Sequence, residues 1–471
     1  MTYPGVLFWL LVLRTAFARG PGFYYVFFGC WSLGTLLVVP SGVSLGNLTP
    51  PWIAACFLTA RVILEDGPRR YLGALLDFRR FGVLTLCTLY AAASGYFLPR
   101  IFEGRVNVVT MRTSAVHGAV PLMPDAANLT QGLYFVITTL TVVSIYLICQ
   151  EPERRRRFLQ AFAWGGVVAI ATGLLDLFAS AAGLGGLLEP FRNATYALHL
   201  DNEAAGMHRV IGLMSEASAY AALCAPFLCL LALTPDQDSP WGRWRVPLCL
   251  GLVLMTYLST SSGGYVGLGV LGLVVAGSLA LGMMEKRRTA WWGGYGMLMA
   301  LAAVALVFLI EPRVFDPLWR AFDRIVLNKT GSVSYIERSM WNRVAYQAYL
   351  ATNYLGVGIG GARASSWIYS LLSNIGAPGT ILLFIFIGQA TLARAPNPAD
   401  RTLARAAKLA LVPCLFMASL AGTSAGFGLP GAILFGLVAS LCWPVAASRA
   451  AAKKALSLDA GAMRSRDLAT R

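Results

Sequence analysis

Three observations predict an all-α polytopic membrane protein of about twelve transmembrane helices with a large outer loop. Of the 471 residues, 57% are hydrophobic and only 13% charged, and mean hydropathy is +0.63. Apolar runs near the roughly 20 residues that a span needs recur along the whole length, which excludes an ordinary soluble globular chain. Open sheet edges cannot satisfy their backbone in lipid, so these runs must be helices. A single integral membrane domain over 1–471 is expected, ending in a basic, weakly hydrophobic tail at 450–471 with the composition of a disordered segment.

In chain order the expected spans are 22–40, 50–65, 81–99, 132–150, 158–180, 214–233, 246–260, 263–283, 291–310, 377–393, 406–420 and 428–447. The stretch 3–13 is either a further span or an interfacial helix whose polar end is Arg14. Placing Glu151–Arg157 in the cytoplasm and alternating the spans puts 25 basic residues on that side and 12 outside, with Arg61 inside a span. By the positive-inside rule this fixes the orientation, with a cytoplasmic C-terminus. The formal net charge of +16 is then mostly membrane-surface charge and no sign of a nucleic-acid partner. Arg61 is expected to snorkel towards the cytoplasm, and Asp176 to be paired inside the bundle with a partner the sequence does not name.

All nine cysteines fall in or at the ends of spans, without a CxxC, so small buried hydrophobes are expected and no disulfide framework or zinc site. Three outer regions interrupt the bundle. The first, 100–131, has a Val-rich middle suited to a short strand pair and prolines suited to a folded cap. The second, 181–213, holds two of the three histidines. The third, 311–376, carries seven basic residues, against the rule for an outward loop. Its front half has Phe315, Leu318, Trp319, Phe322, Ile325 and Val326 on one helical face, suited to the membrane surface. Its back half, from about Ser334 to Leu355, reads as a second helix. Asn47, Asn128, Asn193 and Asn328 each begin an N-x-T sequon. In a eukaryote these would imply glycosylation; chance is the plain alternative.

Three constellations carry candidate chemistry. In M-H-R-V-I-G-L-M-S-E-A-S-A-Y, 207–220, Arg209 stands seven residues before Glu216, on one helical face if the segment is helical, with His208 beside them. This is either a structural ion pair or an arginine for phosphate with a carboxylate or imidazole for proton transfer. In E-R-S-M-W-N-R, 337–343, Glu337, Arg338, Trp341 and Arg343 lie close in sequence, and Trp341 is a sugar-stacking platform or an interfacial tryptophan. The turn L-G-V-G-I-G-G that follows, with Arg363, Ser365, Ser366 and Trp367, offers backbone N–H groups suited to an anion. Y-L-S-T-S-S-G-G-Y, 257–265, is read as close helix packing. No metal-ligand spacing appears and no cofactor is expected; Walker, Rossmann and hydrolase-elbow signatures are absent.

The order R-x-x-G-x-x-x-E-x-S (Arg209, Gly212, Glu216, Ser218), E-R-x-x-W (Glu337, Arg338, Trp341), L-G-V-G-I-G (355–360) and N-I-G-x-P-G (374–379) resembles the O-antigen ligase and Wzy-type polysaccharide polymerase superfamily. L-P-R-I-F-E-G (98–104) with N-L-T-Q (128–131) is similar to exopolysaccharide polymerases in particular. The resemblance implies a GT-C-like glycosyltransferase architecture in the bacterial inner membrane and a metal-independent, inverting transfer at the periplasmic face. Its donor would be a glycan on undecaprenyl diphosphate, with the flippase and chain-length regulator of the same pathway as partners. Arginines holding the leaving diphosphate would explain the outward excess: Arg209, Arg338 and Arg363 as the clamp, with Arg343 and Ser366 nearby. Trp341 and Trp367 would hold sugars. One departure stands out. Ligases usually carry His and Asn after the G-V-G turn, where this chain has Arg363, Ser365, Ser366, Trp367 and Tyr369. That favours a polymerase over a ligase, and leaves the general base open among Glu216, Glu337 and His208, with Glu216 preferred. A transporter of an anionic solute and an export scaffold are the alternatives from other classes; polar groups gathered at the outer boundary argue against the first.

Overall fold

The computed structural model describes residues 2–39, 48–111, 118–194, 203–204, 207–234, 240–284 and 333–444, the side chains of 203–208, 283–284 and 333–334 excepted. Its regular structure is almost entirely helical among the described residues. In order the helices are α1 (Tyr3–Ala16), α2 (Gly22–Gly29), α3 (Pro50–Asp66), α4 (Pro68–Leu76), α5 (Gly82–Ile101), α6 (Ala126–Ile148), α7 (Pro152–Ala181), α8 (Ala217–Leu233), α9 (Arg245–Leu258) and α10 (Ser262–Met284). They continue with α11 (Val333–Ala351), α12 (Trp367–Leu392), α13 (Arg401–Ala421) and α14 (Gly428–Cys442). Among the described residues six helices are long and apolar enough to cross a membrane: α5, α6, α7, α10, α12 and α13 with its leading turn.

The remaining expected spans differ for visible reasons. α8 and α14 have 17 and 15 residues. The run 22–40 breaks when α2 ends and a single 3-10 turn, Cys30–Ser32, follows. The run 291–310 and the amphipathic face at 315–326 lie outside the described residues. α1 has 14 residues, about 21 Å at 1.5 Å each, too short for a bilayer core of ~30 Å. It buries Phe8 and Val12 and exposes Leu7 and Leu10.

The centre of the bundle is α14 against α6. α14 is buried from Gly431 to Cys442, and small residues let the two backbones approach: a Cβ on Gly436 would sit 2.7 Å from the Ile145 Cβ. α12 starts ten residues earlier than the expected span, so part of the expected 311–376 loop is helix. Gly376 (φ 63°, ψ −170°) breaks α12 into two segments.

One end of the bundle is capped by the first and third outer regions packed together. The expected strand pair is present as β1 (Asn107–Val108) antiparallel to β2 (Val120–Pro121), and the expected back-half helix is α11. Val106, Val108 and Leu122 form a small core with Ala348, Val357 and Ala362. The glycine turn at 355–361 is the knot of this cap. A Cβ on Gly358 would lie 2.5 Å from the Ser94 carbonyl oxygen, and one on Gly360 2.4 Å from that of Ala127. Asn128 donates to the Ile359 carbonyl at 2.9 Å. The Asn193 amide grips both backbone groups of Leu37, at 2.6 and 3.3 Å. Two sequons are therefore built into packing contacts, which favours chance for them.

The opposite end is laced by ion pairs. Arg154 bridges Glu65 (3.0 Å) and Asp66 (3.1 Å), and Arg155 holds Asp400 at 2.7 Å. Arg61 does not snorkel. It is 7% exposed, pairs with Glu65 at 2.7 Å and donates to the Thr15 and Gly20 carbonyls at 3.2 and 2.8 Å, so it ties the end of α1 to α3. None of the nine cysteines is bonded to another, and Cys56 alone among them is exposed.

The cap's dependence on backbone contact makes Gly360→Ala destabilising by about 2–4 kcal/mol, from a strained φ of +78° plus overpacking. Gly269→Ala, whose Cβ would meet nothing within 4 Å, should cost nothing by the same thermal melt in detergent.

Candidate functional site

The site begins with Asp176, near the capped end of α7 and 3% exposed. Its Oδ1 accepts from Arg192 Nη2 at 2.9 Å, and its Oδ2 from the N–H groups of Ile211 (2.8 Å) and Gly212 (3.1 Å). The same Arg192 nitrogen donates to the Gly212 carbonyl at 3.0 Å. Arg192 is thus the partner the sequence left unnamed. The clamp fixes a turn, not a helix: Gly212 has φ +56°, and a Cβ there would lie 2.9 Å from the Tyr220 ring. The shared helical face expected for Arg209 and Glu216 does not exist. α8 begins only at Ala217, with Glu216 as its extended N-cap (φ −159°, ψ 164°).

Arg209, next after strand β4 (Met207–His208), reaches the α9–α10 connection. Its Nε donates to Thr260 Oγ1 at 2.9 Å and its Nη2 to the Thr260 carbonyl at 3.3 Å. Thr260 sits at φ +47°, a strained conformation for a β-branched residue. The S-T-S-S-G-G run therefore does more than pack helices: it orients an arginine. The packing is there too, since a Cβ on Gly264 would meet the Ala221 Cβ at 2.9 Å.

Glu216 sits between two partners. The Ser218 hydroxyl donates to its Oε1, and its Oε2 lies 3.9 Å from Arg338 Nη2 on α11. The start of α8 adds a positive backbone field favourable to a carboxylate. Past the glycine turn, the Arg363 guanidinium stacks on the Trp341 ring at 3.9 Å. The Arg363 N–H is held by Val109 O at 2.7 Å, and the Ser365 N–H by Asn342 Oδ1 at 2.8 Å. The segment after the turn is thereby tied to both β1 and α11.

These groups share one electrostatic field. Burial pushes the Arg209 guanidinium below its ordinary pKa; the charge of Glu216 opposes that, and Arg338 reinforces it. Burial does the same to Arg363, against the pull of Glu337 and then Glu216, with Arg338 again reinforcing it. Both stay cationic at neutral pH, but their charge is incompletely neutralised. Among the described residues three guanidiniums share this field with two carboxylates, and Arg363 lies over the Trp341 face.

Other sequence candidates fall elsewhere. Arg343 is exposed, about 140° round α11 from Arg338. Trp367 is 3% exposed and packed in the main core, 6.0 Å from the Phe384 ring. Ser366 is the buried N-cap of α12. His208 forms part of β4, and its side chain lies outside the description. Three amides of the glycine turn are used inside the fold: Gly356 N–H by Thr352 Oγ1 (3.0 Å), Val357 N–H by Ser373 O (2.7 Å) and Gly361 N–H by Gly358 O (2.9 Å). Sequence reasoning missed Arg192 and Asn342 and gave the run around Thr260 only a packing role, because these residues act through contacts between distant segments.

Asp176→Asn should destabilise the protein by about 3–5 kcal/mol, since it leaves Arg192 buried without its counter-charge. Adding Arg192→Gln should cost less than the sum of the two changes, by about 0.5–3 kcal/mol, in a double-mutant cycle of thermal melts.

No family model matches this chain, and comparison with curated proteins returns no match.

Proposed function

We propose that this chain is a membrane glycosyltransferase that polymerises lipid-linked oligosaccharide repeat units at the capped end of its bundle. In this reading about twelve spans form a GT-C-like architecture in a bacterial cytoplasmic membrane, with the cap on the periplasmic side. The donor is a glycan on undecaprenyl diphosphate, and the acceptor is the non-reducing end of a new lipid-linked unit. The observation that carries the reading is the convergence of Arg209, Arg338 and Arg363 on Glu216 from segments far apart in the chain.

The chemistry follows from the charges. As the glycosyl–oxygen bond to the diphosphate breaks, its electron pair leaves with the diphosphate and negative charge grows there. Three fixed guanidiniums in a partly desolvated site meet that charge without reorganising. The acceptor hydroxyl attacks from the opposite face and inverts the anomeric centre. Glu216 takes its proton. This carboxylate is 36% exposed and so reachable by a sugar, whereas Glu337 Oε1 is buried without a partner among the described residues. Glu337 is the strongest negative charge felt by Arg363 and serves to position it. Trp341 supports that guanidinium from beneath.

Arg209→Ala, Arg338→Ala and Arg363→Ala should each lower polymer synthesis by about 10²-fold at unchanged protein level, with single lipid-linked units accumulating. Normal polymer in all three would sink the clamp; polymer made but left off its final acceptor would indicate a ligase. Glu216→Gln should stop transfer yet hold inorganic pyrophosphate at least as tightly as the parent protein, by calorimetry, because one negative charge has left an already cationic site.

A further inference from the structure

At the end of the bundle opposite the cap, α12 and α13 turn round a cavity of about 570 Å³. Arg394, Arg401, Arg405 and Lys408 line it, together with Ala404 and Leu409, and among the described residues no acidic residue does. The nearest carboxylate in sequence, Asp400, is engaged by Arg155 at 2.7 Å and by the Asn397 amide at 3.0 Å. Lys408 donates to the Ala393 carbonyl and Arg401 to the Ala395 carbonyl, at 3.4 Å for the latter. Neutral carbonyls steer these two side chains into place without cancelling their charge. Among the described residues Arg394 and Arg405 have no ion pair. Arg61, Arg154 and Arg155 at the same end are, by contrast, each matched to a carboxylate.

The surface leading away from the cavity is apolar. Arg401, Arg405, Lys408 and Leu409 stand at helical spacing on α13, and the same stripe continues through Val412, Phe416 and Leu420, which are 47%, 44% and 45% exposed. Leu392, the last residue of α12, is 83% exposed beside it. A cationic cavity at the end of a spanning helix, with an exposed apolar track along that helix, matches one kind of molecule: a phosphate head with acyl tails. We infer that this is a binding site for an anionic phospholipid, its phosphate among the four cations and its chains along α13. The basic surplus of this loop is then a built site as well as a topological signal, and the track is what separates a lipid from free phosphate. The inference is independent of the glycosyl-transfer reading, since it involves no residue of the capped end.

The test is native mass spectrometry of the full-length protein in detergent, with phosphatidylglycerol or phosphatidylcholine added. Selective retention of phosphatidylglycerol is expected. Arg394→Gln with Arg405→Gln should weaken it roughly 30-fold, about fivefold for each charge lost. Among the described residues these two side chains hold no internal partner, so the thermal melt without lipid should not move, and Arg156→Gln, an exposed arginine elsewhere at that end, should leave retention as it was. Equal retention of both lipids, or selectivity that survives the double variant, overturns the site. Displacement of the lipid by inorganic phosphate alone would make it a free-anion site and overturn the lipid assignment.

Discussion

The capped end depends on a carboxylate that does no chemistry. Asp176 is buried, and it satisfies Arg192 and two successive amides of the Val210–Leu213 turn at once. A charge in the interior of a helical bundle is tolerable only when its lone pairs are filled in this way. The filling has a geometric result. It holds Gly212 at positive φ, turns the chain out of β4 and into α8, and so sets where Arg209 and Glu216 project. Val210 N–H bonding to Leu258 O at 3.1 Å extends the same brace to the α9–α10 connection, where Thr260 takes over the arginine.

This division of labour bears on the two readings of Arg209 and Glu216 that the sequence left open. A structural ion pair closing the bundle should be short, buried and mutual. That description fits Asp176–Arg192, whose side chains are 4% and 12% exposed at 2.9 Å. Glu216 instead meets Arg338 at 3.9 Å, with the two side chains 36% and 29% exposed. Such a pair contributes about 0–1 kcal/mol. It is too weak to be the staple of the fold, and it leaves both partners accessible to a ligand. Meanwhile Arg209 and Arg363 are drawn out of water with no carboxylate in direct contact among the described residues, a placement that costs stability.

What the sequence made legible was local. Helix existence followed from apolar runs, the β1–β2 pair from a Val-rich loop, and α11 from the pattern after Ser334. Arg209, Arg338, Arg363, Glu216, Glu337 and Trp341 stood out because charges and an aromatic beside glycine turns are unusual in so apolar a chain. Contacts between segments were not legible. Nothing around Arg192 marks it, and the run around Thr260 reads only as helix packing, because their role exists only when 192, 209–212 and 260 meet. The glycine turn has a structural use that was hidden for the same reason. Its composition suits an anion cradle, but Gly358 and Gly360 are there to let the cap backbone touch Ser94 and Ala127. Arg61 misled through its position near a helix end, where snorkelling is the usual outcome; two carbonyls and Glu65 were waiting inside.

The arginines that lace helices together and those of the capped end follow opposite rules. Arg61, Arg154 and Arg155 are neutralised by carboxylates on neighbouring elements, and they hold helices to one another. Arg209, Arg338 and Arg363 outnumber their carboxylates, and each is oriented by something other than a full ion pair: a strained threonine, a half-exposed glutamate, a tryptophan face. A paired arginine has already released its electrostatic energy in folding. An arginine held in place by neutral or partial partners keeps that energy for whatever anion arrives, and geometry fixed in advance means little of it is lost to reordering side chains. By that criterion, the absence of a full partner at an otherwise rigid arginine marks a binding group more surely than its charge does. The criterion separates Arg209 and Arg363 from Arg192, although all three lie near the same turn of chain or the same cap.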